Sequence, residues 1–257
     1  MNNYERNNTM VACVIAFIIV GGAALGGLFL LGSLNISPWI PNNNNWDEGT
    51  LFEFERTGET IPDEIAVNVD IGVGAIYVRY VNDPALTYEI SIWVPNNTLE
   101  TEGNPTVAWS SNTITVEYQT CGINITLGVN ATYSLNLETS TGAIAIELDN
   151  QAHVGSINAT TSTGAIALDM TDDVVIEGDI TFDLHTSTGA IALAVDLPTG
   201  VGGHFIGSTG TGSVDVTPVG WSVVIPNVYE TSDYDTATDT VTITATTGTG
   251  SVAATLG

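Results

Sequence analysis

Lysine is absent from this 257-residue chain, and its only basic residues are Arg6, Arg56 and Arg79. Against them stand 29 Asp and Glu, giving a formal net charge of -26, although only 12% of residues are charged. The acidity thus comes from missing bases more than from dense acids. Such a surface excludes nucleic acid as a partner, because Lys and Arg are needed to displace its counterions. Anionic lipid headgroups are repelled for the same reason. The chain should instead attract cations, and it suits a salty exterior.

Cysteine is nearly missing as well. Cys13 falls within an apolar run and Cys121 far beyond it, so there is neither a disulfide framework nor a CxxC metal pattern. Cys121 reads as a small buried hydrophobe. The three histidines, His153, His185 and His204, sit in no recognisable nucleophile or zinc motif. From Leu51 onward there is no amphipathic helical pattern.

One long apolar run is present. Residues Met10 to Gly32, "MVACVIAFIIVGGAALGGLFLLG", hold no charge. As a helix they would span about 34 Å, enough for a bilayer. The run is long for a secretory segment and lacks an Ala-x-Ala site after it, so it reads as an uncleaved anchor. Gly22 and Gly26 form a GxxxG that would let two such helices pack into a homo-oligomer, although small residues are common in any membrane helix. The expected organisation is a short cytoplasmic tail (1–9), a transmembrane anchor (10–32), a Pro- and Asn-rich juxtamembrane linker (33–50) and an exterior domain (51–257). The sequons at Asn96, Asn124, Asn130 and Asn158 fit an extracellular C-terminal part and mark candidate glycosylation sites.

The exterior part alternates Val, Ile and Thr with polar residues between Gly, Asn, Asp and Pro, the pattern of strands. "YEISIWV" and "TITVEY" are examples, and "WSSNTITVEY" reads as a hairpin turning near Ser111-Asn112. Within it "TSTGAIAIEL" from Thr139, "TSTGAIALDM" from Thr161 and "TSTGAIALAV" from Thr186 nearly repeat. Weaker copies centre on Gly74, Gly212 and Gly250. From Gly142 the glycines are spaced 22, 25, 23 and 38 apart, and Gly74 precedes Gly142 by 68, close to three periods. A period of this size suggests stacked repeats, with an insertion near "NVYETSDYDTATD" in the last interval.

Parity shows what the repeat does. Aliphatic residues fall two and four positions after the glycine (Ile144 and Ile146, Ile166 and Leu168, Ile191 and Leu193). Before it they fall at odd offsets (Leu135 and Leu137, Phe182 and Leu184). Alternation cannot change phase within one straight strand. The strand must therefore bend at Gly74, Gly142, Gly164, Gly189, Gly212 and Gly250, where a residue without Cβ tolerates positive φ. Stacked copies predict an all-β fold: a mainly parallel β-solenoid with glycine corners, preceded by one transmembrane helix.

The corners "TSTGAIAI", "TSTGAIAL" and "TGTGSVDV", with the hairpin "SSNTITVEY", resemble the putative-adhesin domains of bacterial and archaeal surface proteins. The resemblance covers about residues 65 to 256. It departs from the family's pattern in placing Ala or Ser, not Asp, after the glycine. It implies a surface location and an adhesive or scaffolding use, with a cell-surface protein or glycan as partner.

Several features invite chemistry. The Thr-x-Thr pairs Thr139/Thr141, Thr161/Thr163, Thr186/Thr188, Thr209/Thr211 and Thr247/Thr249 could form ladders, with their hydroxyls satisfying backbone groups in the corner. "GSTGTGS" looks like a phosphate loop but lacks the following Lys and a helix, so it is a degenerate corner. Glu230, Asp233, Asp235 and Asp239 form an acidic loop that could supply oxygens to Ca²⁺, without the glycine and terminal Glu of an EF-hand. Asp169 and Asp183 would have to line a groove for the chain to cleave glycans. The repeated segment itself contains no nucleophile, base or ligand, so the chain reads as a membrane-anchored binding or scaffolding module and not an enzyme. A glycan-acting surface enzyme and an envelope-stress sensor are the alternatives.

Overall fold

The structure is a computed structural model and describes residues 48–58 and 60–257. The alternating stretches form β1 (Gly49–Thr57), β2 (Glu64–Val73), β3 (Ile76–Tyr80) and β4 (Leu86–Pro95). After helix α1 (Asn96–Glu102) come β5 (Ala108–Ser110), β6 (Thr113–Thr120), β7 (Gly122–Leu127), β8 (Thr132–Leu148) and β9 (Val154–Met170). Then follow β10 (Asp179–Thr188), β11 (Ile191–Val195), β12 (Val201–Thr211), β13 (Val214–Pro218), β14 (Trp221–Ile225), β15 (Val228–Thr231), β16 (Asp239–Thr249) and β17 (Val252–Leu256).

The molecule is a ladder of bent rungs. Each rung has one arm before a corner residue and one after it. The corner glycines take φ from 142° to 151°, a region that side-chain-bearing residues avoid. Space demands glycine as well. A Cβ on Gly164 would lie 1.7 Å from the carbonyl oxygen of Gly142, because successive corners pack backbone on backbone. The bend reverses side-chain parity, so both arms turn their aliphatic residues to the same side. Leu135, Leu137, Ile144 and Ile146 are all buried in one core with Phe182, Leu184, Ile191, Ile243 and Phe205.

The rungs do not stack in chain order. From one end the corners run Cys121, Gly74, Gly142, Gly164, Gly189, Gly250, Gly212. The pre-corner arms pair as β5-β6-β2-β8-β9-β10-β16-β12-β15-β14. The post-corner arms pair as β1-β4-β7-β3-β8-β9-β11-β17-β13. The inner rungs are parallel. The ends are antiparallel: β1 with β4, β4 with β7, β5 with β6, β12 with β15, and β14 with β15.

These pairings correct the expected mainly parallel solenoid. The sheet is mixed, and Gly74 lies directly against Gly142 with no rung between them. The intervening residues go instead to β4, to the seven-residue α1, and to the rung β6–β7, which continues the stack beyond Gly74. That rung escapes a search for glycine because Cys121 holds its corner, with Ile123 and Ile125 following as the aliphatic pair. At the other end the long interval holds the β14–β15 hairpin, after which β16 slots between β10 and β12.

The β5–β6 hairpin turns at Ser111 and Asn112, both at positive φ (52° and 59°), the twist that suits a two-residue connection. Helix α1 carries one apolar side chain, Leu99, packed on the core. With no side-chain N-cap and no acid in its first turn, it left little periodic signal to read.

The expected tail (1–9), anchor (10–32) and nearly all of the linker (33–50) lie outside the described residues. Among the described residues no helix is long and apolar enough to cross a membrane. The expected single-pass membrane placement is corrected accordingly.

Candidate binding surface along the corner

The two threonines of each Thr-x-Thr pair part company at the bend. Thr139, Thr161, Thr186 and Thr247 are buried. These, and the half-buried Thr209, each donate a hydroxyl to the corner carbonyl of the neighbouring rung: Thr186 to Gly164 at 3.2 Å, Thr247 to Gly189 at 3.1 Å and Thr209 to Gly250 at 3.2 Å. Thr139 and Thr161 reach Gly74 and Gly142 at 3.5 and 3.4 Å. The hydroxyl is needed because that carbonyl, turned inward by the glycine φ, would otherwise be a buried acceptor without a donor.

The second threonine of each pair points outward. Thr141, Thr163, Thr188, Thr249 and Thr211 are exposed and sit in register on successive rungs. Val73 and Thr120 extend the row. Ser140, Ser162 and Ser187 are exposed beside it. The convex corner is thus a ridge of hydroxyls at the strand spacing of about 4.8 Å. Reading both threonines of each pair as corner partners holds only for the first.

Outward rows flank the ridge. On the pre-corner arms Asn136 and Asn158 form an asparagine step, with Asn158 Nδ2 donating to Asn136 Oδ1 at 2.8 Å. On the post-corner arms Ala145, Ala167 and Ala192 are in register, but Ala145 and Ala167 are buried and only Ala192 is partly exposed. Next to them Glu147 and Asp169 stand side by side. Tyr77 donates to Glu147 Oε2 at 2.5 Å and Arg79 Nε donates to Thr126 Oγ1 at 3.1 Å. Burial lifts the Glu147 carboxyl above its ordinary range, against the Tyr77 hydrogen bond and with help from Asp149 and Asp169. Burial likewise raises Asp169, with Asp196 adding to it. Asp149 is raised by burial against a hydrogen bond from Asn150, with the charges of Asp173 and Asp169 adding to the rise. In the sequence only Asp169 of this partly desolvated acid row stood out, paired there with Asp183, because each acid is a single residue of its own rung.

The other candidate residues are dispersed. Glu230 is taken by His204, at 2.7 Å from Nδ1, whose ring also stacks on Tyr234. Asp239 accepts the Gly178 amide at 2.7 Å. The Asp233 carbonyl is bonded within its own turn, and Asp235 is exposed. The four are not gathered, and among the described residues no group of three or more His, Cys, Asp or Glu could hold a metal ion. Asp169 and Asp183 lie on opposite sides of the corner, on outward faces of different arms, so they do not line one groove. Cys121 is fully buried, and burial pushes its thiol up to about 12. The sequon residues Asn96, Asn124, Asn130 and Asn158 are all exposed.

No family model matches the sequence, and no curated protein matches it. Solved structures do match. A structure described as a putative cell adhesion protein from Clostridium sporogenes overlays with a TM-score of 0.66 at 15% identity, covering 82% of this chain and 100% of that one. Structures described as putative adhesins from Bacteroides fragilis and Parabacteroides distasonis have 15% and 12% identity. They cover 80% of this chain and 97% and 98% of their own, but their TM-scores of 0.24 and 0.28 are too low to compare folds. Each neighbour is a bacterial protein described in terms of adhesion, and the chain has the fold of the first, in line with the resemblance its corner motifs carry.

Proposed function

We propose that this chain is an adhesin-like, non-catalytic module that binds or scaffolds cell-surface components through the outward rows of its rungs. The observation that carries this reading is repetition in register. The same hydroxyl and asparagine positions face outward on successive rungs. Such a surface offers many weak, equivalent contacts to an extended or repetitive partner, whose summed avidity does not need a deep pocket. The fold shared with a protein described as a cell adhesion protein supports the same reading, although fold by itself does not assign function.

The partner class we favour is a neutral or cationic glycan or protein surface, since a net charge of -26 repels polyanions. The experiment is a glycan array together with capture of cell-surface components, using the full chain with and without Ca²⁺. Binding should be retained without Ca²⁺ and lost when bulky side chains interrupt the ridge, as in Thr163→Trp with Thr188→Trp. Turnover of a bound glycan would overturn the non-catalytic reading, and binding indifferent to the ridge variants would move the site elsewhere.

A further inference from the structure

A row of unpaired N–H and C=O groups at a sheet edge is a template for another strand, and natural proteins blunt such edges with charge, brevity or proline. The ladder has four edge strands. β1 carries Glu53 and Glu55 with Arg56. β5 is only three residues long. β13 carries Asp215 and ends in Pro218. The fourth, β14, carries no charge and no proline along its length, and its one blunting feature is a bulge. It pairs with β15 on one side through Trp221, Ser222, Val223 and Ile225, with a bulge at Val224, and its other side is open.

Beyond the buried Trp221, the side chains of β14 are as unprotected as its backbone. Val223 is 61% exposed, Val224 51% and Ile225 59%, with Val219 at 63% just before the strand. These are four of the six large hydrophobics exposed in the described chain; the other two, Leu51 and Val73, lie elsewhere. Neighbouring residues in the regular part of a strand face opposite ways, and Ser222 and Val223 are both exposed, so both faces of the hairpin are open there, with Val224 bulged out beside them. This is also the end of the stack without a helix, since α1 packs at the other end, against β4 and β6.

Charge selects the occupant. From Thr217 to Val228 the sequence "TPVGWSVVIPNV" holds no charged residue, in a chain of net charge -26. Glu230, opposite Ser222 on β15, is held by His204, so a basic partner would find no carboxylate on β14 itself to engage. A second copy of the chain is repelled by the acid-bearing edges β1 and β13, and this edge is where that repulsion is least. Two β14 strands meeting antiparallel about a two-fold axis would complete each other's open ladders and cover each other's valines and isoleucine, a self-complementary contact. We infer that β14 is a homodimerisation edge, through which two copies join their pre-corner sheets end to end. This inference does not depend on the adhesive reading above.

The test is made on the full chain with Cys13→Ser, which leaves the buried Cys121 as the only native thiol. Under mild oxidation Val224→Cys should form a disulfide-linked dimer at least tenfold faster than Leu51→Cys, an exposed control at the opposite end of the ladder. Val223→Asp should weaken dimerisation at least tenfold in sedimentation equilibrium, with an unchanged far-ultraviolet β signal. Equal cross-linking at the two positions, or a chain monomeric at all concentrations, would overturn the inference. So would a dimer indifferent to Val223→Asp, or one lost only when residues 1–47 are removed. Coupling of Val224→Cys to Cys13, in a chain that keeps Cys13, would put the chain's own N-terminal segment on the edge and would overturn it too.

Discussion

Thr247 donates its hydroxyl to the carbonyl of Gly189 at 3.1 Å, although the rung of Gly212 lies between them in sequence. The contact ties the sixth corner of the stack to the fifth. It links a hydroxyl that is 1% exposed to an acceptor that has lost its strand partner at the bend. Thr247→Val keeps the shape and removes the donor, so it should cost about 1 kcal/mol. Thr249→Val alters an outward residue of the same pair and should stay within about 0.5 kcal/mol. Urea unfolding midpoints of the two variants measure the difference.

The corners separate two kinds of glycine. A Cβ at Gly164, φ 151°, would lie 1.7 Å from the Gly142 oxygen, in backbone that cannot give way without shifting a rung. Gly178, φ 76°, has nothing within 4 Å of the same added atom. Gly164→Ala should therefore destabilise by about 4 kcal/mol or more, in the range reserved for severe clashes. Gly178→Ala should cost only the left-handed backbone penalty, about 1 kcal/mol. Equal losses of thermal stability would show that the corners are not in backbone contact.

The acid row gives the protein an unusual pH response. Glu147, Asp149 and Asp169 are each raised above the ordinary carboxylate range, by burial first and then by one another or by neighbouring acids. A group raised in the folded state favours folding when protonated, and that favour fades as pH rises through its folded-state titration. Lowering pH from neutral toward the upper edge of the carboxylate range should thus raise the melting temperature, before deeper acid brings other effects. Asp169→Asn should be more stable than the parent at pH 7 and show a flatter profile. A melting temperature that falls steadily from pH 7 to 5 would contradict this.

Two tyrosines in edge-to-face contact, with ring centroids 5.9 Å apart, should respond in opposite directions. The Tyr133 hydroxyl donates to the Thr87 carbonyl at 2.7 Å, whereas the buried Tyr80 hydroxyl has no protein partner. Tyr133→Phe leaves the carbonyl unmet and should cost about 1 to 3 kcal/mol. Tyr80→Phe removes a desolvated hydroxyl and should be neutral or stabilising, by up to about 1 kcal/mol. Calorimetry of both variants decides it.

The sequence made the bend legible but not the stacking. Glycine followed by aliphatics at the second and fourth positions, with opposite parity before it, leaves a strand no option but to turn. What could not be read was which corner meets which. Gly142, Gly164 and Gly189 sit in nearly identical decapeptides, so each surface fits any other, and the order is decided by connections such as β4 and the β14–β15 hairpin. Strand direction was equally hidden: "YEISIWV" reads as a strand, yet only its position between β1 and β7 makes it antiparallel. The Cys121 corner was missed because cysteine, in the first rung, takes the place that glycine takes in the others. The acid row became visible only when Glu147 and Asp169 came into register across strands.

The order of the rungs is most directly measured by engineered disulfides along the exposed ridge, where paired residues of neighbouring strands lie within bridging distance. In the full chain with Cys13→Ser, Thr188→Cys with Thr249→Cys should close a bond on oxidation, because Thr188 and Thr249 are partners in register. Thr188→Cys with Thr211→Cys should not, since a whole rung separates them. Closure of the second pair and failure of the first would contradict the interleaved ladder that sets the hydroxyl ridge in register.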